Sequence, residues 1–278
     1  MDVANNLALP SRRTEAERRA RIERRLSSSS FLSEPFRRLN YDSKASWAWE
    51  NYRATVLSIA EARRGAAGAP LRLLEVGGGR TPLFSPAEAA AARLSVTVND
   101  IDERELSLGP PGFDKALFNI AAEIDPKLHG AFDLIVSHMV MEHVRDARRA
   151  WSNMAALLAP AGVALAFHPT LYAPPFLINV ILPDRVTSPL LRFFFPTRHD
   201  GAYPKFPAWY DMCRSDPATI DPMLKACGFR ETLVLPFWGH DYFRSAPGLR
   251  EIDDAVQRMA EARDWRALST YAYTMARR

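Results

Sequence analysis

An α/β domain built on a parallel sheet is the fold class that this 278-residue sequence predicts, and three observations carry it. Short aliphatic or β-branched runs alternate with helical segments at the spacing of βαβ units. The first of those runs ends in three successive glycines, Gly77, Gly78 and Gly79. No apolar stretch, the longest being 173–183, approaches the roughly 20 residues of a membrane-spanning helix.

In chain order, apolar residues recur at helical spacing over 43–64, with Trp47, Tyr52, Val56 and Ile59 among them, and 65–70 stops that helix. Residues 71–76 form a short apolar run before the glycines, the pattern of a buried parallel strand and a tight turn. An alanine-rich helix is expected over 86–93, a second strand over 95–99, a third over 115–120 and a fourth over 132–137. A helix over 147–158 and a fifth strand over 162–167 follow. Then the composition changes: eleven prolines fall between Pro160 and Pro222, among aromatics from Tyr172 to Tyr210. Proline removes a backbone donor and restricts its predecessor, so long regular elements are excluded there. Residues 168–216 are read as a folded insertion. Regular periodicity returns with a helix over 217–226 closed by Gly228, a strand over 231–237, a helix over 249–263 and a last strand over 269–275.

Composition sets the outer limits. With 47% hydrophobic and 24% charged residues, the chain can bury a sizeable core. The N-terminus lacks the apolar core of a signal peptide, which predicts a cytoplasmic protein. Two cysteines, Cys213 and Cys227, supply neither a disulfide framework nor a clustered zinc site. The net charge of +4 is uneven: residues 1–64 hold 13 Lys or Arg against 8 Asp or Glu, and the rest holds 23 against 24. The excess belongs to an arm, 1–42, in which seven arginines from Arg12 to Arg25 mix with Glu15, Glu17 and Glu23 ahead of the serines at 27–30. That pattern predicts a solvated helix and a flexible serine-rich hinge, with residues 1–26 dispensable for ligand binding. Contact with an anionic membrane surface or nucleic acid is the second reading of the arm. Residues 43–278 are expected to form one domain.

The informative segment is LLEVGGGRTPLF at 73–84. A strand that ends in glycines lets backbone approach a ligand closely. Glu75 lies just before them, and Asp100 closes the second strand, where an acid accepts hydrogen bonds from ribose hydroxyls; Asp102 is the adjacent alternative. Taken with Asn99-Asp100-Ile101-Asp102, Phe132-Asp133-Leu134-Ile135-Val136-Ser137, Met141-Glu142-His143-Val144 and Leu157-Leu158-Ala159-Pro160-Ala161-Gly162, this segment resembles the successive motifs of the class I S-adenosylmethionine-dependent methyltransferases. The likeness spans about 71–168 and is nearest to the small-molecule branch that includes quinone-biosynthesis enzymes.

The resemblance implies a Rossmann-like, doubly wound, seven-stranded mixed sheet with its last strand antiparallel, and S-adenosyl-L-methionine as cofactor. It implies that Glu75, Gly77, Gly78 and Gly79 border the methionine end, that Asp100 binds ribose and Ile101 packs on adenine, and that Asn119 and Ile120 read the adenine edge. Ser137 and His138 would face cofactor or acceptor. Two departures stand out: Arg80-Thr81-Pro82 occupies the place of a further glycine, and Asn119 replaces an acid.

A lone histidine is more often structural than catalytic. Of the six, His138, His143 and His168 follow predicted strands four and five, and ligands gather outside the carboxyl ends of such strands. His168 is the first choice for contact with the acceptor. The insertion is expected to cap the acceptor site with an apolar wall, and Arg198, His199, Lys205 and Arg214 to pair with an anionic part of the acceptor. The reading is a methyltransferase acting on a small-molecule or lipid-like acceptor, with no metal. A catalytically inactive cofactor-binding protein and a nucleic-acid methyltransferase are the alternatives; nicotinamide binding falls because the third glycine of GxGxxG is absent.

Overall fold

The computed structural model describes residues 15–27, 29–63, 69–173, 176, 207–243 and 248–278. Eight helices of this part are numbered here in chain order: α1 Glu15–Leu26, α2 Ser30–Arg38, α3 Ala45–Arg63, α4 Pro86–Ala91, α5 Glu103–Leu108, α6 Ala147–Leu157, α7 Pro217–Ala226 and α8 Leu249–Arg263. Seven strands, β1 Leu71–Val76, β2 Leu94–Asp100, β3 Asp114–Leu117, β4 Phe132–His138, β5 Leu158–Pro169, β6 Glu231–Phe237 and β7 Tyr271–Arg277, make one sheet in the order β3-β2-β1-β4-β5-β7-β6. β1, β2, β3, β4 and β5 pair in parallel, whereas β7 lies antiparallel between β5 and β6. This is the doubly wound, seven-stranded mixed sheet that the sequence predicts.

The central strands are buried on both faces, which is why they read as unbroken apolar runs instead of alternating ones. Leu73 and Leu74 of β1, Leu134 and Ile135 of β4, and Val163, Leu165 and Phe167 of β5 are all sealed from solvent. The helices start where short polar side chains cap their free N–H groups. Ser85 and Glu88 form a reciprocal capping box around Pro86 at the start of α4, and Asp146 and Asp216 cap α6 and α7. β5 begins four residues earlier than expected: a register shift against β4 between Phe132 and Leu134, with Ala161 at φ +60°, absorbs Pro160 into the strand. β3 ends three residues earlier than its apolar run suggests, and α5 has no signal strong enough to mark it.

Over its described residues the arm is a helix with Glu17, Arg19, Glu23 and Arg24 exposed, as expected, but its inner face and the following helix pack on the body, which corrects the reading of a wholly solvated arm. Ser29 caps α2, Leu32 of that helix is buried, and Phe36 is buried in a cluster of rings with Tyr41, Phe237, Tyr273 and the half-buried Trp47. From α1, Arg25 is buried and places its Nε and one terminal nitrogen on Asp264 at 2.9 and 2.7 Å, with its guanidinium over the Trp238 ring. Arg21 donates to the carbonyls of Glu261 and Ala262 at the end of α8, where the helix dipole favours a cation. The arginines read as a solvated face are, in part, the latch that holds this segment to the sheet's far edge.

Most of the 168–216 insertion, including Arg198, His199 and Lys205, lies outside the described residues. Among the described residues no helix is long and apolar enough to cross a membrane, and no three His, Cys, Asp or Glu side chains converge as a metal-binding group.

Candidate functional site

The strand order reverses between β1 and β4, and the loops leaving the carboxyl ends of β1, β2 and β4 diverge there. Such a switch point is where an open α/β sheet offers a crevice. A cavity of about 750 Å³ occupies it, lined by Val76, Gly77, Asn99, Asp100, Ile101, Asn119, Ile120, Met139, Val140, His143 and Asp211 among others.

Gly77 of the glycine turn lines it, whereas Gly78 and Gly79 do not. Gly77 and Gly78 both donate to the carbonyl of Asn99, at 2.9 and 3.0 Å, which ties the end of β1 to β2. Gly77 sits at φ +73°, and a Cβ there would lie 2.5 Å from Val140 Cγ2, so no larger residue fits. A Cβ on Gly79 would come within 2.9 Å of Asp100 Oδ2. Arg80 pairs through both forks of its guanidinium with Glu105 of α5, and Thr81 N–H closes a turn on the Gly78 carbonyl. The chain path after Gly79 is thus fixed by an ion pair in place of a further glycine.

Glu75 is buried, and its two carboxylate oxygens accept the Leu83 N–H at 2.8 and 3.0 Å. Burial pushes its carboxyl up to about 7, partly offset by that backbone hydrogen bond. It braces the loop from beneath and does not line the cavity; Gly78 packs over its side chain. Asp100 does line it. It accepts the Asp102 N–H at 3.0 Å, and desolvation raises its carboxyl above the ordinary value. Asp102 caps α5 by accepting the Arg104 N–H, and of the two acids Asp100 is the one that lines the cavity.

Ile101 leaves 60% of its surface exposed at the cavity wall, where its apolar face is open to a ligand. Asn119 accepts the Ala121 N–H through Oδ1, and Asn153 holds the following turn by donating to the carbonyls of Ile120 and Ala122. Asn99 anchors β3 by donating to the Ala116 and Phe118 carbonyls.

The three histidines separate. His143 lines the cavity, with Nδ1 3.0 Å from the Pro207 carbonyl and a pKa lowered by burial. His138 lies one residue before the cavity lining; its ring meets Trp49, Tyr52 and Phe167 edgewise or tilted at 5.0–5.1 Å, and burial lowers it to about 4. His168 is not brought to the cavity. It is 3% exposed, its Nδ1 faces the Pro169 carbonyl and its Nε2 the Thr274 hydroxyl, and burial lowers it to about 4. Ser137 is also buried, and its carbonyl accepts the Tyr52 hydroxyl at 2.7 Å. Arg214 turns back on its own segment, donating to the Tyr210 and Cys213 carbonyls and stacking over Tyr172.

Met139, Val140 and Asp211 belong to the cavity although nothing in their sequence context marks them. Asp211 comes from the last part of the 168–216 insertion and is fixed there by accepting the Ala147 N–H at 2.8 Å.

The methyltransferase-domain family matches this chain over residues 32–174. The citrinin polyketide synthase CMeT domain is similar in structure, with TM-score 0.52 and 14% identity over 95% of this chain and 57% of that one. Phosphoethanolamine N-methyltransferase 2 of Haemonchus contortus, solved with S-adenosyl-L-methionine, has TM-score 0.49 and 15% identity over 82% of this chain, which spans about half (52%) of that protein. An S-adenosylmethionine-dependent methyltransferase from Mesorhizobium loti has TM-score 0.46 and 17% identity, covering 86% of this chain and 100% of that one. No curated protein sequence matches.

Proposed function

Because the chain belongs to the class I S-adenosylmethionine-dependent methyltransferases, we propose that it moves a methyl group from that cofactor to a small-molecule or lipid-like acceptor. The single observation that supports the site is the cavity at the β1/β4 switch point, where the glycine turn, Asp100 and the exposed Ile101 meet.

The residues present fit the cofactor. Gly77 presents bare backbone to the cavity, where a Cβ would run into Val140, Asp100 offers a carboxylate to ribose hydroxyls, and Ile101 and Ile120 offer apolar faces to a purine. When bound, S-adenosylmethionine supplies an electrophilic methyl whose sulfur leaves as a neutral thioether. The protein's part is alignment and exclusion of water. Glu75 does this indirectly, by holding the Leu83 end of the glycine loop. Asn119, its Oδ1 committed to Ala121, keeps its amide NH₂ for a ring-nitrogen acceptor. His143, the one sequence-selected histidine on the cavity wall, is the candidate for moving an acceptor proton.

The test is calorimetric titration with S-adenosylhomocysteine, followed by methyl transfer from labelled cofactor into fractionated cell extract. Saturable binding and label in a low-molecular-weight or lipid fraction are expected. Protein that binds neither form of the cofactor, or label found only in nucleic acid, overturns the reading.

A further inference from the structure

His143 stands on the wall of the switch-point cavity, and the residue before it, Glu142, is buried and tied to the returning end of the insertion. We propose that Glu142 is a positioning residue for methyl transfer: its carboxyl acts through His143, by stabilising the imidazolium that forms when that ring takes the acceptor's proton. The inference rests on the methyltransferase reading of this cavity.

Geometry is the first argument. Nδ1 of His143 lies 3.0 Å from the Pro207 carbonyl, and Nε2 of the same ring lies 3.9 Å from Glu142 Oε1. A carbonyl only accepts, so Nδ1 carries the ring's proton and the basic lone pair falls on Nε2, the nitrogen beside the carboxyl. At 3.9 Å the contact is beyond hydrogen-bond length and within ion-pair reach, so the carboxyl influences Nε2 through its charge. The insertion assembles both halves of this arrangement: Pro207 sets the tautomer, while the Trp209 and Tyr210 N–H groups donate to the Glu142 carbonyl at 2.7 and 3.1 Å.

The carboxyl itself is the second argument. Oε2 is buried without a hydrogen-bond partner among the described residues, a cost to the fold that a role at the neighbouring site accounts for. Cys213 faces Glu142 from the returning segment, with Asp211 and Arg214 bringing opposite charges to that thiol. Tyr271 faces it from β7 and also walls a second cavity, of about 600 Å³, with α3 and the loop after β6. Burial pushes the Cys213 thiol and the Tyr271 hydroxyl up, so neither competes for charge near neutral pH. Burial also raises Glu142 to about 8 and lowers His143. Near pH 7 the pair therefore holds one proton, on the carboxyl, beside a neutral imidazole. Above about 8 the carboxylate ionises and favours the imidazolium. In the transfer the acceptor's N–H or O–H bond breaks, its proton moves to Nε2, and its electron pair takes the methyl carbon while the methyl–sulfur pair stays on sulfur. Glu142 makes and breaks no bond.

The experiment is NMR of protein carrying isotope-labelled histidine, saturated with S-adenosylhomocysteine and titrated from about pH 5 to about pH 9.5, with His143→Gln to assign the ring. Wild-type His143 should be protonated on Nδ1 and not on Nε2 at neutral pH, and its Nε2 shift should show a second inflection near pH 8. Glu142→Gln should erase that inflection, Glu142→Asp should retain one, and S-adenosylhomocysteine affinity should stay within twofold in both. Label transfer from S-adenosylmethionine into the low-molecular-weight or lipid fraction of cell extract should be nearly equal in wild type and Glu142→Gln at about pH 6.5, and at least fivefold lower in the variant at about pH 9. A ring protonated on Nε2, an absent inflection, or an inflection and rate rise that survive Glu142→Gln overturn the role of Glu142 while leaving the methyltransferase reading intact. Wild-type protein that fails to bind S-adenosylhomocysteine overturns both.

Discussion

Asp100 is the residue whose loss the cofactor should feel most directly. Asp100→Ala removes a charged acceptor from a partly desolvated wall, so S-adenosylhomocysteine affinity should fall by about 1 to 3 kcal/mol, read by calorimetry. A variant that binds like wild type would separate Asp100 from the ribose. Glu142 makes a different prediction. Its carboxyl is buried, Oε2 has no hydrogen-bond partner among the described residues, and burial raises it from 4.5 to about 8. The unfolded chain loses that proton near pH 4.5 whereas the folded chain keeps it to about pH 8, so the stability it contributes is complete below the lower value and lost by the upper one. Thermal melts should therefore weaken as pH rises across that window, and Glu142→Gln should flatten the slope. An unchanged slope would mean that Glu142 reaches solvent. Asp100 could be picked from sequence because it closes a strand directly, and Ile101 through the family likeness. Asp211 could not, since only folding brings a residue of the insertion against the start of α6.

At the level of elements, α1 and α2 change the meaning of the basic arm. Arg25 is buried while Asp264 remains about a third exposed, so Arg25→Ala should cost about 2 kcal/mol, below the full penalty for breaking a buried pair. Deleting residues 1–26 should lower the melting temperature by several degrees yet leave S-adenosylhomocysteine affinity within about threefold, because α1 latches onto the end of α8 and not onto the cavity. If affinity collapses while circular dichroism stays native, the arm belongs to the site. The mixed charges were visible in the sequence, but periodicity does not show that Leu26, Leu32 and Phe36 face the sheet across 200 intervening residues. β1, β6, α7 and α8, whose patterns are local and unbroken, lie where their sequences place them.

For the whole molecule, a ligand that binds only the folded state raises stability by mass action, about 2.7 kcal/mol at one hundred times its Kd. S-adenosylhomocysteine at that excess should raise the melting temperature by roughly 5 to 10 °C in a chain of this size, an effect that Asp100→Ala should largely remove at the same concentration. A wild-type melt indifferent to the ligand would contradict the proposed site. The alternation of apolar runs and helices, the glycine turn and the acid after β2 are short-range patterns, and they were enough to determine the sheet, the family likeness and one wall of the first cavity. The burial of His168 between Pro169 and Thr274, the commitment of Arg214 to its own backbone and the joining of α3, the loop after β6 and β7 around a second cavity were decided only by tertiary structure. A residue's neighbours along the chain fix its conformation, whereas its exposure and its hydrogen-bond partners depend on segments that meet only when the sheet closes.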